Sequence, residues 1–216
     1  MHNAARVLGL YRDQTMGIRL FVRARHLLCP MERIEVLLPR EGRVLEVGCG
    51  HGLFTNLLAV ASPGRSVLGV DPAPAKIQVA ERAALSLPNV SYQNGYVADV
   101  PEYGFDAVAI LDVLYLLPPA DKEDVVRRCF ELLRPGGVFI LKTNDTAPRW
   151  KYRITILQEQ AMTGLRLTMG GHGLHFYSQD QNTALLHAAD FVVERIVELN
   201  SWLPYPHVAF VARRPG

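Results

Sequence analysis

No apolar run in the 216 residues reaches the ~18–20 positions that a membrane-crossing helix needs, so a helical transmembrane span is excluded. Cysteine is scarce. Cys29, Cys49 and Cys129 form an odd, widely spaced set without a CxxC pair. That argues against a disulfide framework and predicts reduced thiols in a cytoplasmic protein. The amino-terminal stretch MHNAARVLGLYRDQ lacks the long apolar segment of a secretory signal and is expected to stay in the mature protein. Charge of one sign is missing too: 23 Lys and Arg face 21 Asp and Glu, for a net +2. Without a basic tract, a nucleic-acid partner is disfavoured. His172, His175 and His207 are scattered, and no cysteine lies near them, so no metal site is implied. There is no internal repeat and no low-complexity tract. What remains is ordinary for a globular core, 49% hydrophobic and 20% charged, in one domain with at most a small appendage.

The hydrophobic periods divide the chain in two. Up to about residue 40 they are helical: Ile18, Phe21, Val22 and Leu28 recur with Arg19, Arg23 and Arg25 between them, and Met31 to Leu38 repeats the pattern before Pro39 stops it. From there short apolar runs alternate with helices. Strands are expected at 44–47, 66–70, 90–93 and 105–111, with a fifth at 138–142. Helices are expected at 53–61, 75–85 and 122–133. Five alternations require a mostly parallel sheet with helices on both faces. A last helix at 180–189 and strand-like runs at 191–199 and 208–213, joined by NSWLPYPH, predict an antiparallel hairpin at the sheet edge.

The stretch VLEVGCGHG at 44–52 is a strand running into a glycine-rich turn. A dinucleotide fingerprint needs G-x-G-x-x-G, but its sixth position here is Leu53; a phosphate loop needs a lysine and hydroxyl that do not follow. The pattern is instead acidic-x-G-x-G-x-G, with Glu46 two residues ahead of Gly48. This stretch resembles the first motif of class I S-adenosylmethionine (SAM) dependent methyltransferases. VLGVDPAPAKIQVAERAA, FDAVAILDVLYLLP and LLRPGGVFIL are similar to later motifs of the same superfamily, in order, over roughly 40–145. The resemblance implies a Rossmann-like class I fold, with a seven-stranded, mostly parallel sheet ending in an antiparallel hairpin. It also implies SAM as cofactor and S-adenosylhomocysteine (SAH) as product.

By the same resemblance, Gly48, Cys49, Gly50 and Gly52 approach the amino-acid and ribose portions of SAM. Asp71, about 20 residues on, accepts the ribose hydroxyls beside Pro72; the competing reading makes Asp71 a helix N-cap. Glu46 anchors a water or the cofactor ammonium, or else a structural hydrogen bond. Where relatives end the third strand in Gly-Asp-Ala, this chain has NGYVADVP. Tyr96 and Val97 are therefore expected at the adenine, with Asp99 either reaching back to it or holding its own turn. Leu111 and Asp112 are expected beneath the sulfonium, and Tyr11 is expected to close the cofactor site.

Methyl transfer is an in-line displacement that relies on alignment and desolvation, and a base is needed only when the acceptor atom carries a proton. Tyr115, where relatives often carry a histidine, and His172 and His175 are the catalytic candidates; core packing and structural hydrogen bonds are the alternatives. His51 is read as satisfying backbone. Residues 1–40 form a helical cap on a methyltransferase domain at 41–216. Within that domain, 146–178 forms a cover over the acceptor pocket, with Trp150, Tyr152, Phe176 and Tyr177 as its apolar wall and Trp202, Tyr205 and His207 as a rim. Arg19, Arg23, Arg25 and His26 among Ile18, Leu20, Phe21 and Val22 make the second helix either a solvated cap or a peripheral contact with an anionic membrane. The expected acceptor is a small apolar, aromatic or lipid-like molecule, methylated on oxygen, carbon or nitrogen. RNA or protein methylation, or a non-catalytic scaffold of the same fold, are the alternatives. Nothing in the sequence sets an oligomeric state.

Overall fold

The computed structural model describes residues 2–101, 103–150, 153, 156–157, 174–199 and 205–216. Three helices come first: α1 (His2–Gly9), α2 (Met16–Leu28) and the short α3 (Met31–Glu35). The expected helix to Leu38 stops early, at Glu35. Then follow β1 (Gly42–Val47), α4 (Leu53–Ala61), β2 (Arg65–Asp71), α5 (Pro74–Ala83), β3 (Val90–Asn94), β4 (Phe105–Leu111), α6 (Pro119–Leu132) and β5 (Leu133–Asn144). The chain closes with α7 (Gln179–Ala188), β6 (Val192–Glu198) and β7 (His207–Arg213).

The strands form one seven-stranded sheet in the order β3-β2-β1-β4-β5-β7-β6. Its first four pairings are parallel, and β7 runs antiparallel between β5 and β6. The expected hairpin is thus present, with β7 buried and β6 at the exposed edge. The sequence places β5 at 138–142, but it starts at Leu133. Leu133 pairs with Phe105 before the RPGG segment loops out and the ladder resumes at Ala107↔Val138.

Each face of the sheet has its own core. Val44, Ala107, Ala109, Ile140, Ala209 and Val211 point toward α1–α4. Leu45, Val108, Ile110, Phe139, Leu141 and Phe210 share the second core with Val126, Cys129 and Leu132 of α6 and Leu185 and Leu186 of α7. The helix α4 is buried from Leu53 through Val60, as expected for a helix apolar nearly all round. Val7, Tyr11, Val22, Met31 and Ile34 belong to its core, so α1–α3 are packed into the same interior as the sheet. Arg65 ties α3 to β2. Its guanidinium pairs with Glu35 at 2.6 Å and also donates to the carbonyls of Glu35, Leu38, Pro39 and Leu58. Every N–H of this buried cation therefore has an acceptor, the condition under which a buried charge is tolerated. Among the described residues, no helix is long and apolar enough to cross a membrane.

Candidate active site

Parallel sheets bind ligands in the crevice beyond the carboxyl ends of their strands. Here that edge carries the glycine turn after β1, Asp71 at the end of β2, the turn after β3 and Asp112 after β4. The three turn glycines all have positive φ, but the structure divides their roles. A Cβ on Gly48 would lie 2.4 Å from Val113 Cγ2, and one on Gly52 would lie 2.3 Å from the Tyr92 hydroxyl and 2.8 Å from Ala80 Cβ. Those two are required by the protein's own packing. A Cβ on Gly50 would meet nothing within 4 Å, so Gly50 is where the backbone faces open space.

Asp71 is buried and bridges two elements. One carboxylate oxygen accepts from the Gly50 N–H at 2.9 Å and the other from the Ala73 N–H at 2.9 Å. The residue capping α5 is Ala73, with Pro74 in the first helical position, so Asp71 is not its N-cap. A carboxylate has about four lone-pair sites, and these two bonds leave acceptor capacity at the mouth of the turn. Beyond β3, Val97 is buried and Tyr96 is 65% exposed. The Asp99 carboxylate accepts from the Tyr96 N–H at 2.8 Å, the turn-holding role named as one of its two alternatives.

Tyr11 braces the turn from inside. It is buried, donates to the His51 carbonyl at 2.8 Å and accepts from Asn56 at 3.0 Å. Burial pushes its phenol well above the usual range. The His51 ring packs on Phe21, and burial, helped by Lys76, lowers it to about 4. Cys49 is buried and Pro72 half-buried.

Glu46 is also buried and accepts a short hydrogen bond from the Thr55 hydroxyl on α4. Desolvation raises it to about 8 against the lowering effect of that bond, so the carboxyl is protonated at neutral pH. A raised carboxyl stabilises the fold fully below its unfolded value of ~4.3 and loses that contribution as pH rises through the folded value. His51 and His207, both depressed, act oppositely, but only below their unfolded value of ~6.5. From pH ~6.5 to ~7.5 the Glu46 effect therefore stands clear of theirs and exceeds that of Lys122, which burial lowers to about 8 and which acts oppositely as pH approaches that value. Stability should fall with rising pH there, by at most ~1.4 kcal/mol per unit. Glu46→Gln, which keeps an acceptor for Thr55, should flatten that window in urea denaturation curves; an unchanged slope would contradict a protonated Glu46.

Past β4, Leu111 is buried. Asp112 adopts φ 59° and turns its carboxylate onto Lys142 at 2.5 Å and Arg25 at 2.9 Å. Burial alone raises Asp112, but Lys142 and Arg25 outweigh it and hold the carboxyl well below the usual range. Lys142, on β5, is fully buried. Arg25, 31% exposed, thus turns its guanidinium toward the strand ends. The same helix, α2, exposes Met16, Leu20 and Leu27. His207, at the start of β7, contacts the Leu28 carbonyl through Nε2 at 2.9 Å. Burial and Lys142 lower it to about 3. Sequence reasoning missed Lys142 and Asn144 altogether. The one available signal was a lysine inside the apolar run VFILKTN, where a buried cation demands a partner.

On the other side of β4, Tyr115 is buried and stacks on Phe176, with ring centroids 4.4 Å apart. The His175 N–H donates to the Tyr115 carbonyl at 2.7 Å. Lys122 donates to the His175 carbonyl and lies 3.5 Å over the Tyr177 ring. The structure thus brings Tyr115, His175, Phe176 and Tyr177 together. Trp150 is 58% exposed. His172, Tyr152, Trp202 and most of the expected cover at 146–178 lie outside the described residues. Tyr205 packs near His207, with centroids 5.6 Å apart.

Comparison with known proteins bears on what this edge holds. The family described as "Methyltransferase domain" matches residues 21–196. A ubiquinone biosynthesis O-methyltransferase of Alkalilimnicola ehrlichii is 37% identical over 134 residues, 60% of this chain and 52% of that protein. Its namesake from Pseudomonas fluorescens is 31% identical over 163 residues, 73% of this chain and 67% of that one. The chain thus spans about half to two thirds of these relatives' length. Among solved structures, the pyocyanin biosynthetic protein PhzM superposes with a TM-score of 0.75 at 21% identity, covering 95% of this chain and 60% of that one. Magnesium protoporphyrin IX methyltransferase from Synechocystis, with bound SAH, gives 0.66 at 18% identity, covering 95% and 90%. At these identities the structural matches speak for the fold.

Proposed function

The chain belongs to the methyltransferase-domain family, and from that premise we propose that it transfers a methyl group from SAM to a hydroxyl of a small, aromatic or otherwise apolar molecule. The observation that carries the cofactor is the turn at Gly50, open to a ligand and clasped by the buried Asp71 carboxylate. These residues fit SAM. The turn lacks the spacing of a phosphate loop, and a carboxylate with spare lone pairs suits ribose hydroxyls. Asp71 would hold the ribose, the Gly48–Gly52 turn would lie along the amino-acid portion, and Tyr96 and Val97 would flank the adenine. When bound, SAM supplies an electrophilic methyl on a positively charged sulfur. The chain's part is to align the acceptor and exclude water.

Two of the curated relatives are named as O-methyltransferases of ubiquinone biosynthesis, which supports a hydroxyl acceptor and a small molecule over RNA or protein. Incubation with SAM and a panel of phenols, amines, RNA and protein, read by mass spectrometry, should add one methyl group to a phenol. Methylation of RNA or protein alone would contradict this reading, and so would methylation of nothing, the result expected of a scaffold.

A further inference from the structure

Two buried polar atoms near the carboxyl end of β5 have no hydrogen-bond partner among the described residues: Asn144 Oδ1 and His207 Nδ1. They are not independent. Asn144 and His207 are directly opposed in the β5–β7 ladder, so both side chains leave the same sheet face, from Cα atoms about 4.5–5.5 Å apart. Lys142 shares that face two residues earlier and is buried with one acceptor among the described residues, Asp112, although an ammonium has three donors.

The tautomer of His207 follows from its neighbour. The Leu28 carbonyl can only accept, so Nε2 carries the hydrogen. In the neutral ring Nδ1 is then a bare lone pair. Burying such an acceptor unpaired costs about 1–3 kcal/mol, and native proteins rarely leave one so, let alone two side by side. A molecule with two neighbouring proton donors would complement both atoms, at the strand ends where ligands of this fold class sit.

Resting on the methyl-transfer reading above, we propose that Asn144 and His207 form a polar subsite that binds vicinal hydroxyls of the acceptor, one O–H donated to Asn144 Oδ1 and the other to His207 Nδ1. Lys142 stands beside them, with spare N–H donors for a hydroxyl oxygen. The two residues then select dihydroxylated acceptors over those with blocked hydroxyls.

The probes are catechol, phenol and veratrole, titrated by NMR into the SAH complex of the wild type and of Asn144→Leu, with the imidazole nitrogens of His207 observed. Catechol should bind about tenfold or more tightly than veratrole, as expected for gaining two neutral hydrogen bonds, and should move the Nδ1 resonance. Asn144→Leu should lose about tenfold in catechol affinity and leave veratrole and SAH affinities unchanged. Because it replaces an unpaired buried acceptor with an apolar group, it should unfold at the same or a higher temperature. Equal affinities for catechol and veratrole, or an unmoved Nδ1, would overturn the subsite and leave an internal water as the partner of both atoms. SAH binding with no such discrimination sinks the subsite alone; failure to bind SAH sinks the methyl-transfer reading with it.

Discussion

Asp71→Ala should lower the affinity for SAH by about 10–150-fold, the range expected when a charged hydrogen-bonding partner is removed. Asp71 does two jobs in the geometry. It would accept ribose hydroxyls, and it already holds the Gly50 and Ala73 N–H groups. The alanine variant loses both, so the turn loosens as the ribose loses its acceptor. Asp71→Asn separates the two. It keeps one oxygen acceptor but no charge, and its amide nitrogen cannot accept from either backbone N–H. Its affinity should fall between those of the wild type and Asp71→Ala in isothermal titration calorimetry. Wild-type affinity in Asp71→Ala would remove Asp71 from the site.

Asp112→Asn should cost about 3–5 kcal/mol of stability, because it strands the buried Lys142 ammonium without a counter-charge. The substitution isolates charge from backbone strain: asparagine tolerates the positive φ of this position as aspartate does. For a chain of this length the melting temperature should drop by roughly 10 °C. The double variant Asp112→Asn with Lys142→Met, which removes both buried partners, should recover most of the loss. The sign of the pH dependence follows from the depressed Asp112 carboxyl. Its contribution is fully present above the unfolded value of ~3.9 and is lost as pH falls toward the folded one. The deficit of Asp112→Asn should therefore persist at neutral pH and shrink in acid. A variant as stable as the wild type at pH 7 would show that the pair carries no such weight.

The contrast between Asp71 and Asp112 shows where sequence is legible. Local patterns announce the sheet: apolar runs at 105–111 and 138–142, glycines after β1, an aspartate at the end of β2. Each depends on neighbours close in the chain, so spacing alone finds them. Asp112 was visible as a position, but its chemistry is set by Arg25 and Lys142, 87 and 30 residues away. No local period encodes that closure. Arg25 illustrates the cost. Among Arg19 and Arg23 it reads as one more solvated cation, and only the packing of α2 over the strand ends turns it inward. Glu46 is similar. Its motif position was plain, whereas its protonated state follows from burial against Thr55 and α4. Asn144 and His207 carry no motif, and only the β5–β7 register makes them a pair.

The open turn at Gly50, clasped by Asp71, is proposed to receive a phosphate-free adenosyl cofactor. Isothermal titration calorimetry of the wild-type chain with SAM, SAH and NAD tests it most directly. SAM and SAH should bind saturably at one site per chain, and NAD should not bind. Binding of NAD, or binding of neither adenosyl compound, would contradict it.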